Sequence, residues 1–182
     1  MAATPCVQNA SGLATQPWWT QSARLVFLPS SSEPYATSAF ISTRPYSNIP
    51  AEKTPFARED WLRVSREIRL HHECAHVVCR RVMPHDVLPV WDEVTVDVVG
   101  LLRATGGYEA ALACAFLGAS ERGFVGGRLE EYLNDEQTAR IDEIAVAVHD
   151  ACARVEKACG PNQVADPFEY LLDLKRTPLI PY

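Results

Sequence analysis

Apolar residues recur at intervals of three, four and seven positions along residues 58–82, which predicts one long helix with a single apolar stripe. The stripe consists of Trp61, Val64, Ile68, Ala75, Cys79 and Val82. This helix is predicted to begin near Ala57 or Arg58 and to end near Val82. It is the longest amphipathic element that the pattern indicates.

The same periodicity predicts a second helix over Val87–Thr105, whose regular part begins at Pro89, because proline is tolerated in the first turn of a helix. The glycine pair Gly106-Gly107 is predicted to end this helix. Further helical segments are predicted at Tyr108–Leu117, Leu129–Leu133, Glu136–Ala158 and Pro167–Leu174.

Two β-prone runs, Arg24–Leu28 and Ala36–Thr43, precede the helices and predict a small antiparallel pair of strands. The expected fold is therefore mainly α (α+β): one compact helical domain over residues 23–182 with a minor two-stranded β element near the N-terminus. Residues 1–22 are expected to form an irregular leader that Trp18-Trp19 packs onto the domain. The apolar residues 177–182 are expected to dock on the same domain.

The first helix carries the motif His72-Glu73-x-x-His76. Residues four apart lie on the same face of a helix, so the two imidazoles can bind one metal ion. Glu73 lies about 100° around the helix from His72, where its carboxylate can take a proton from a water at the open metal position. At 100° per residue both histidines lie at the border of the apolar stripe, which predicts a half-buried cleft.

The second helix carries Glu93 and, one turn later on the same face, Asp97. A catalytic zinc usually has three protein ligands and an open fourth position, and Glu93 is the best-placed third ligand. Asp97 can accept a hydrogen bond from the nitrogen of a ligand histidine that does not bind the metal. Sixteen residues separate His76 from Glu93, which is enough chain to set two helices side by side.

These two motifs, His72-Glu73-Cys74-Ala75-His76 and Glu93-Val94-Thr95-Val96-Asp97, make the chain resemble the gluzincin zinc metallopeptidases over about residues 66–101. The resemblance implies a zincin-like helical domain with Zn²⁺ as cofactor. It implies that His72, His76 and Glu93 bind the zinc, that Glu73 is the general base, and that Asp97 does not touch the zinc but holds a ligand histidine by a hydrogen bond. The activity it implies is hydrolysis of a peptide or amide by a zinc-bound water.

Other interpretations stay open at this point. One alternative is a metal-dependent tailoring enzyme of a biosynthetic pathway, acting on a peptide or a small molecule. Another is a non-catalytic helical domain with a degenerate motif, in which Asp92, Glu93 and Asp97 form a solvated helix face. Two histidines and a carboxylate also suit iron; zinc is preferred because a hydrolytic water needs a base such as Glu73.

The composition and charge of the chain limit the kinds of binding partner that are expected. The net charge of −6 and the pI near 5.4 give no electrostatic reason to expect nucleic acid or an anionic membrane. No long apolar run predicts a membrane span and no basic-apolar leader predicts export, so a cytoplasmic location is expected. The six cysteines lack a C-x-x-C motif and are expected to be reduced thiols.

A hydrolase also needs a group that stabilises the oxyanion formed at the attacked carbonyl. The candidates for this role are Tyr108, Tyr132, His85 and His149.

Overall fold

The computed structural model describes residues 42–82, 89–160, 164 and 166–177, together with the backbone of the strands at 23–27 and 37–41. The predictions for the leader with Trp18-Trp19, for the connection at residues 83–88 that contains His85, and for residues 178–182 lie outside these ranges.

The prediction of a mainly α fold with a small β element is confirmed. The described residues form the helices α1 (Arg58–Val82), α2 (Pro89–Thr105), α3 (Ala110–Leu117), α4 (Asp135–Thr138), α5 (Ile141–Cys159) and α6 (Pro167–Arg176). The strands β1 (Ala23–Phe27) and β2 (Thr37–Ile41) pair in antiparallel register, with Ala23 opposite Ile41 and Phe27 opposite Thr37. A second two-stranded hairpin, β3 (Ala119–Ser120) and β4 (Gly123–Phe124), follows α3 and was not expected from the sequence.

Helix α1 packs along α2, and this contact is the most extensive one between two helices in the described part of the chain. A Cβ atom at Gly100 of α2 would lie 3.0 Å from the carbonyl oxygen of Ile68 on α1. The missing side chain therefore lets the two backbones approach closely, and the motifs of α1 and α2 face each other across the contact.

The apolar stripe of α1 is buried as predicted at Trp61, Val64, Ile68, Ala75 and Cys79. The prediction for Val82 is wrong, because this side chain is 56% exposed. Residues 80–82 are all exposed, so the last turn of α1 extends past the elements that cover the rest of its stripe.

The prediction of a single helix over Glu136–Ala158 is wrong, because the chain forms α4 and α5 instead. Asn134 caps α4 in a reciprocal capping box with Gln137, which favours the start of a helix at Asp135. The N–H of Arg140 then bonds to the carbonyl of Gln137, and the φ of −118° and ψ of 23° at Arg140 are not helical. Helix α5 therefore restarts at Ile141.

Two glycines fix the start of the segment that follows β4. Gly118 has a φ of +73°, and a Cβ atom at Gly127 would lie 2.3 Å from the amide nitrogen of Gly118. The backbones at these two positions therefore contact each other directly, which only glycine permits. This contact fixes the 3₁₀ segment Arg128–Tyr132, which directs Arg128 toward α2.

Helix α6 packs against α2. Ala75 and Cys79 of α1, Val96 and Val99 of α2, and Leu171 of α6 form one buried cluster. The indole Nε1–H of Trp91 donates to the carbonyl of Leu174 at 3.2 Å, which anchors α6 on α2. Among the helices described, none has the length and apolar character that crossing a membrane would require.

Candidate metal centre

Three side chains from α1 and α2 converge at one point of the contact between these helices. The Nε2 atoms of His72 and His76 lie 3.1 Å apart. The Oε1 atom of Glu93 lies 3.2 Å from Nε2 of His76, and its Oε2 atom lies 3.5 Å from Nε2 of His72. The structure thus brings together the three residues that the motifs single out as ligands.

The donor set and its spacing fit a zinc ion. Zinc–nitrogen and zinc–oxygen bonds of roughly 2.0–2.1 Å in a tetrahedral site place neighbouring ligand atoms about 3.3 Å apart, close to the three distances above. The Oε2 atom of Glu93 is buried and has no hydrogen-bond partner among the described residues. Because a buried carboxylate oxygen is normally satisfied, this atom has capacity for a cation.

His72 is oriented by two buried groups, Asp97 and Tyr46. Its Nδ1 atom lies 2.8 Å from Oδ1 of Asp97 and 2.8 Å from the hydroxyl of Tyr46. That hydroxyl donates to the same Asp97 oxygen at 2.5 Å. The network places the His72 proton on Nδ1 and leaves the Nε2 lone pair directed at the cluster.

Arg128 holds Asp97 from the other side. Its Nη2 donates to Oδ2 of Asp97 at 2.6 Å, and its Nη1 lies 3.7 Å from Oε2 of Glu93. Burial opposes the charge of Asp97, but Arg128 and the hydrogen bonds from His72 and Tyr46 hold the pKa of this carboxyl below its ordinary value. Asp97, 1% exposed, is therefore a buried carboxylate with partners on both oxygens.

His76 is oriented in the same way by a different carboxylate. Its Nδ1 atom lies 3.1 Å from Oδ2 of Asp92, and Oδ1 of Asp92 accepts from the ammonium group of Lys175 on α6. Burial acts against the charge on His76, yet the hydrogen bonds with Asp92 and Glu93 raise its pKa to about 9. Burial likewise opposes the charge of Asp92, but His76 and Lys175 lower its pKa to about 2.

The interpretation of Asp92, Glu93 and Asp97 as a solvated helix face is therefore wrong. The side chains of Glu93 and Asp97 are 13% and 1% exposed, and that of Asp92 is 31% exposed. All three carboxylates turn toward α1 because its histidines, together with Arg128 and Lys175, supply partners there.

Glu73 lies beside the cluster in a cleft of about 250 Å³. The cleft is lined by Ser42, Arg44, Pro45, Tyr46, Ser47, Asn48, Arg69, His72, Glu73, Arg128 and Glu131. Of the predicted site residues, His72 and Glu73 line the cleft, whereas His76, Glu93 and Asp97 do not. The cleft therefore meets the ligand cluster at His72.

A tight turn forms the cleft wall opposite α1. Ser47 and Asn48 have φ values of +51° and +56°, a left-handed backbone that side-chain-bearing residues rarely adopt. The turn is fixed by a hydrogen bond from the N–H of Tyr46 to the hydroxyl of Ser65 on α1. Arg69 donates to the carbonyls of Ser42, Arg44 and Pro45 and thereby fixes the preceding chain to α1. These bonds place Tyr46 against His72.

The candidates for stabilising an oxyanion lie in different parts of the structure. Burial and the nearby carboxylate of Glu93 raise the pKa of Tyr132 above its ordinary value. Tyr108 is buried in the main core, and His149 on α5 lies beside Asp150. None of these three residues lines the cleft.

Four residues of the site were missed by sequence reasoning: Tyr46, Arg128 and Lys175, and Asp92 in its role as a partner of His76. Lys175 carried a signal, because it follows Leu171 by four positions on the buried face of α6 and a buried lysine needs a partner. Tyr46 and Arg128 lie in loop and turn segments whose periodicity gives no such signal.

The model of a family described as a family of unknown function (DUF7005) matches residues 8–166, so the chain belongs to that family. No curated protein and no solved structure matches the chain.

Proposed function

We propose that this member of the DUF7005 family is a zinc-dependent hydrolase of amide bonds, with a centre that resembles that of the gluzincin metallopeptidases. The observation that carries the proposal is the arrangement of the two histidines. Each has its Nδ1 atom occupied by a carboxylate, while both Nε2 atoms and the Glu93 carboxylate face one point. Carboxylate–histidine pairs of this kind are the usual support of zinc ligands.

In this proposal His72, His76 and Glu93 hold the metal. When bound, zinc would supply a Lewis acid that polarises a carbonyl and makes water acidic near neutral pH. Asp97 keeps His72 in the tautomer that offers Nε2, and Arg128 keeps Asp97 charged although it is buried. Asp92 has the corresponding position at His76.

Glu73 performs the proton transfers. It lines the cleft next to His72, so its carboxylate can accept a proton from the water that attacks the amide carbonyl. The water oxygen forms a bond to the carbonyl carbon, the carbon–nitrogen bond then breaks, and Glu73 returns the proton to the departing amine. Tyr132 and Arg128, both neighbours of Glu93, are the candidate donors to the developing negative charge.

The cleft favours a small, polar substrate. Its volume of about 250 Å³ is below the roughly 300–1,000 Å³ typical of ligand sites. Apart from Pro45 and the ring of Tyr46, its lining consists of hydroxyl, amide, imidazole and charged groups. Arg44, Arg69 and Arg128 together with Glu73 and Glu131 supply both signs of charge. Such a wall suits a peptide or small molecule with charged groups better than one with large apolar side chains.

This observation also favours a second candidate function, that of a tailoring enzyme dedicated to one small substrate. Both functions share the metal, the base and the chemistry, and they differ in breadth of substrate. A non-catalytic helical domain is the remaining alternative. In that case the clustered charges would serve only to hold α1, α2 and α6 together.

The proposal is tested with zinc-loaded protein and a set of blocked dipeptides that carry acidic, basic or apolar side chains, with release of free amine as the readout. We expect turnover of charged members, loss of turnover on chelation, and recovery when zinc is returned. A narrow preference for a single member supports the dedicated enzyme. Zinc-loaded protein that cleaves none of the set would contradict the hydrolase and favour the non-catalytic alternative.

A further inference from the structure

The second ligand histidine has a support that the motifs do not account for. His76 Nδ1 lies 3.1 Å from Oδ2 of Asp92, and Asp92 Oδ1 binds Lys175. The side chain of Lys175 is 1% exposed. The chain Lys175–Asp92–His76 therefore connects the last described helix, α6, to the candidate metal ligands.

Lys175 is unusual among the lysines of the chain. The sequence contains three, and the other two, Lys53 and Lys157, are exposed. Burying an ammonium group is costly unless it is paired, and Asp92 is the carboxylate with which Lys175 is paired. Because α6 is already anchored on α2 by the bond from Trp91 to Leu174, its fold alone does not require a charge at position 175.

Lys175 acts on Asp92 in a different way from that of Arg128 on Asp97. Asp97 is enclosed on all sides, whereas the side chain of Asp92 is 31% exposed and can turn toward water. Lys175 binds Oδ1 and so leaves Oδ2 directed at His76. Without that bond, hydration of the carboxylate competes with its hydrogen bond to the imidazole.

We propose that Asp92 and Lys175 are positioning residues of the metal centre, with Lys175 fixing the Asp92 carboxylate that orients His76. This inference rests on the proposed zinc function and adds to it a role for α6. The two ligand histidines are then supported by two separate chains of contacts: Asp97 with Tyr46 and Arg128 at His72, and Asp92 with Lys175 at His76.

The test compares the zinc affinity of full-length Asp92→Asn, Lys175→Met and the double variant with that of the wild type, by competition with a chromogenic chelator. Loss of a partner that orients a metal-bound histidine costs about 10–100-fold in affinity, and we expect this for each single variant. The double variant should bind zinc no more weakly than Asp92→Asn, because Lys175 acts through Asp92. Lys157→Met on the exposed face of α5 is the matched control and should leave the affinity unchanged.

Two further readouts separate positioning from stability. Thermal unfolding of the metal-free variants reports the structural cost, and the visible spectrum of cobalt-loaded protein reports the ligand geometry. A shifted cobalt spectrum with weakened zinc binding supports the inference. If Lys175→Met does not fold, the same two measurements on Asp92→Asn test it. Unfolding at lower temperature with unchanged affinity and spectrum would overturn it, as would tighter zinc binding by Lys175→Met. A wild type that binds no zinc overturns the proposed function as well, so the two failures are distinguishable.

Discussion

The Nε2 atom of His76 lies 3.1 Å from the Nε2 atom of His72, with the two ring planes at 82° to each other. Two imidazole lone pairs cannot face each other at this distance without a proton or a metal ion between them. In the metal-free protein a proton on Nε2 of His76 fills this position, and in the proposed function zinc replaces that proton. The side chains of His72, His76 and Glu93 can therefore form either a salt-bridge cluster or a metal centre.

Substitution Glu73→Gln should abolish most turnover and leave zinc bound. The amide cannot accept a proton from water, and loss of a general base typically costs about 10²–10⁴-fold in rate. The measurements are kcat on the best substrate and zinc content of the same preparation. Glu59→Gln, in the exposed first turn of α1, is the control and should retain activity. Full activity in Glu73→Gln would show that another group is the base.

Substitution Glu93→Ala should weaken zinc binding by more than the roughly 10–100-fold expected for an orienting residue, because a ligand itself is lost. Glu130→Ala, an exposed acidic position on the segment after Gly127, is the matched control. Zinc affinity is measured by chelator competition at one pH for both variants. Equal affinity in Glu93→Ala and the wild type would contradict the assignment of Glu93 as third ligand.

The free energy of unfolding should fall with pH above 6.5 in the metal-free protein and stay nearly level in the zinc-loaded protein, because there the gain in zinc affinity offsets the loss. In the metal-free protein the pKa of His76 is raised from 6.5 to about 9 despite burial, by the hydrogen bonds with Asp92 and Glu93. A raised pKa gives stability that is fully present below pH 6.5 and is lost as the pH rises through 9. Zinc requires unprotonated His76, so zinc affinity should rise across the same window.

Urea unfolding of chelated and zinc-loaded protein between pH 6.5 and 9 measures both slopes. His76→Gln should flatten the slope of the chelated protein. A chelated protein whose free energy of unfolding does not fall over this range would contradict the ion pairs of His76.

Substitution Gly100→Ala should destabilise the protein by about 1–3 kcal/mol, the usual cost of overpacking. The added Cβ atom would lie 3.0 Å from the carbonyl of Ile68 and 3.1 Å from its Cγ2 atom, and the helices must separate. Since α2 carries Glu93, zinc affinity should fall with the stability. Gly107→Ala is the control, because nothing lies within 4 Å of its added Cβ atom and its φ is not positive. Unchanged stability in Gly100→Ala would show that the helices tolerate separation.

Much of the site was predictable because its ligands lie on two regular helices. A spacing of four residues fixes a shared face within one helix, so the relations of His72 to His76 and of Glu93 to Asp97 follow from the sequence. The antiparallel strands were predictable because alternating β-prone runs mark them in the sequence. The end of α2 was predictable because Gly106 adopts a φ of +78°, which favours glycine.

The supporting residues were not predictable in this way, because they come from segments distant in the chain. Tyr46 reaches His72 through a left-handed turn, and Arg128 reaches Asp97 because Gly118 and Gly127 contact each other. Neither close approach leaves a periodic pattern in the sequence. The break between α4 and α5 was missed for a related reason: a capping box at Asn134 was compatible with a long helix until the backbone of Arg140 departed from helical geometry.

The central claim is that His72, His76 and Glu93 bind one zinc ion. The most direct measurement is the metal content of the protein, purified without chelators and then dialysed against zinc, by inductively coupled plasma mass spectrometry. We expect about one zinc per chain in the wild type and almost none in a variant with His72→Ala and His76→Ala. A wild type that retains no zinc, or a double variant that retains as much as the wild type, would contradict it.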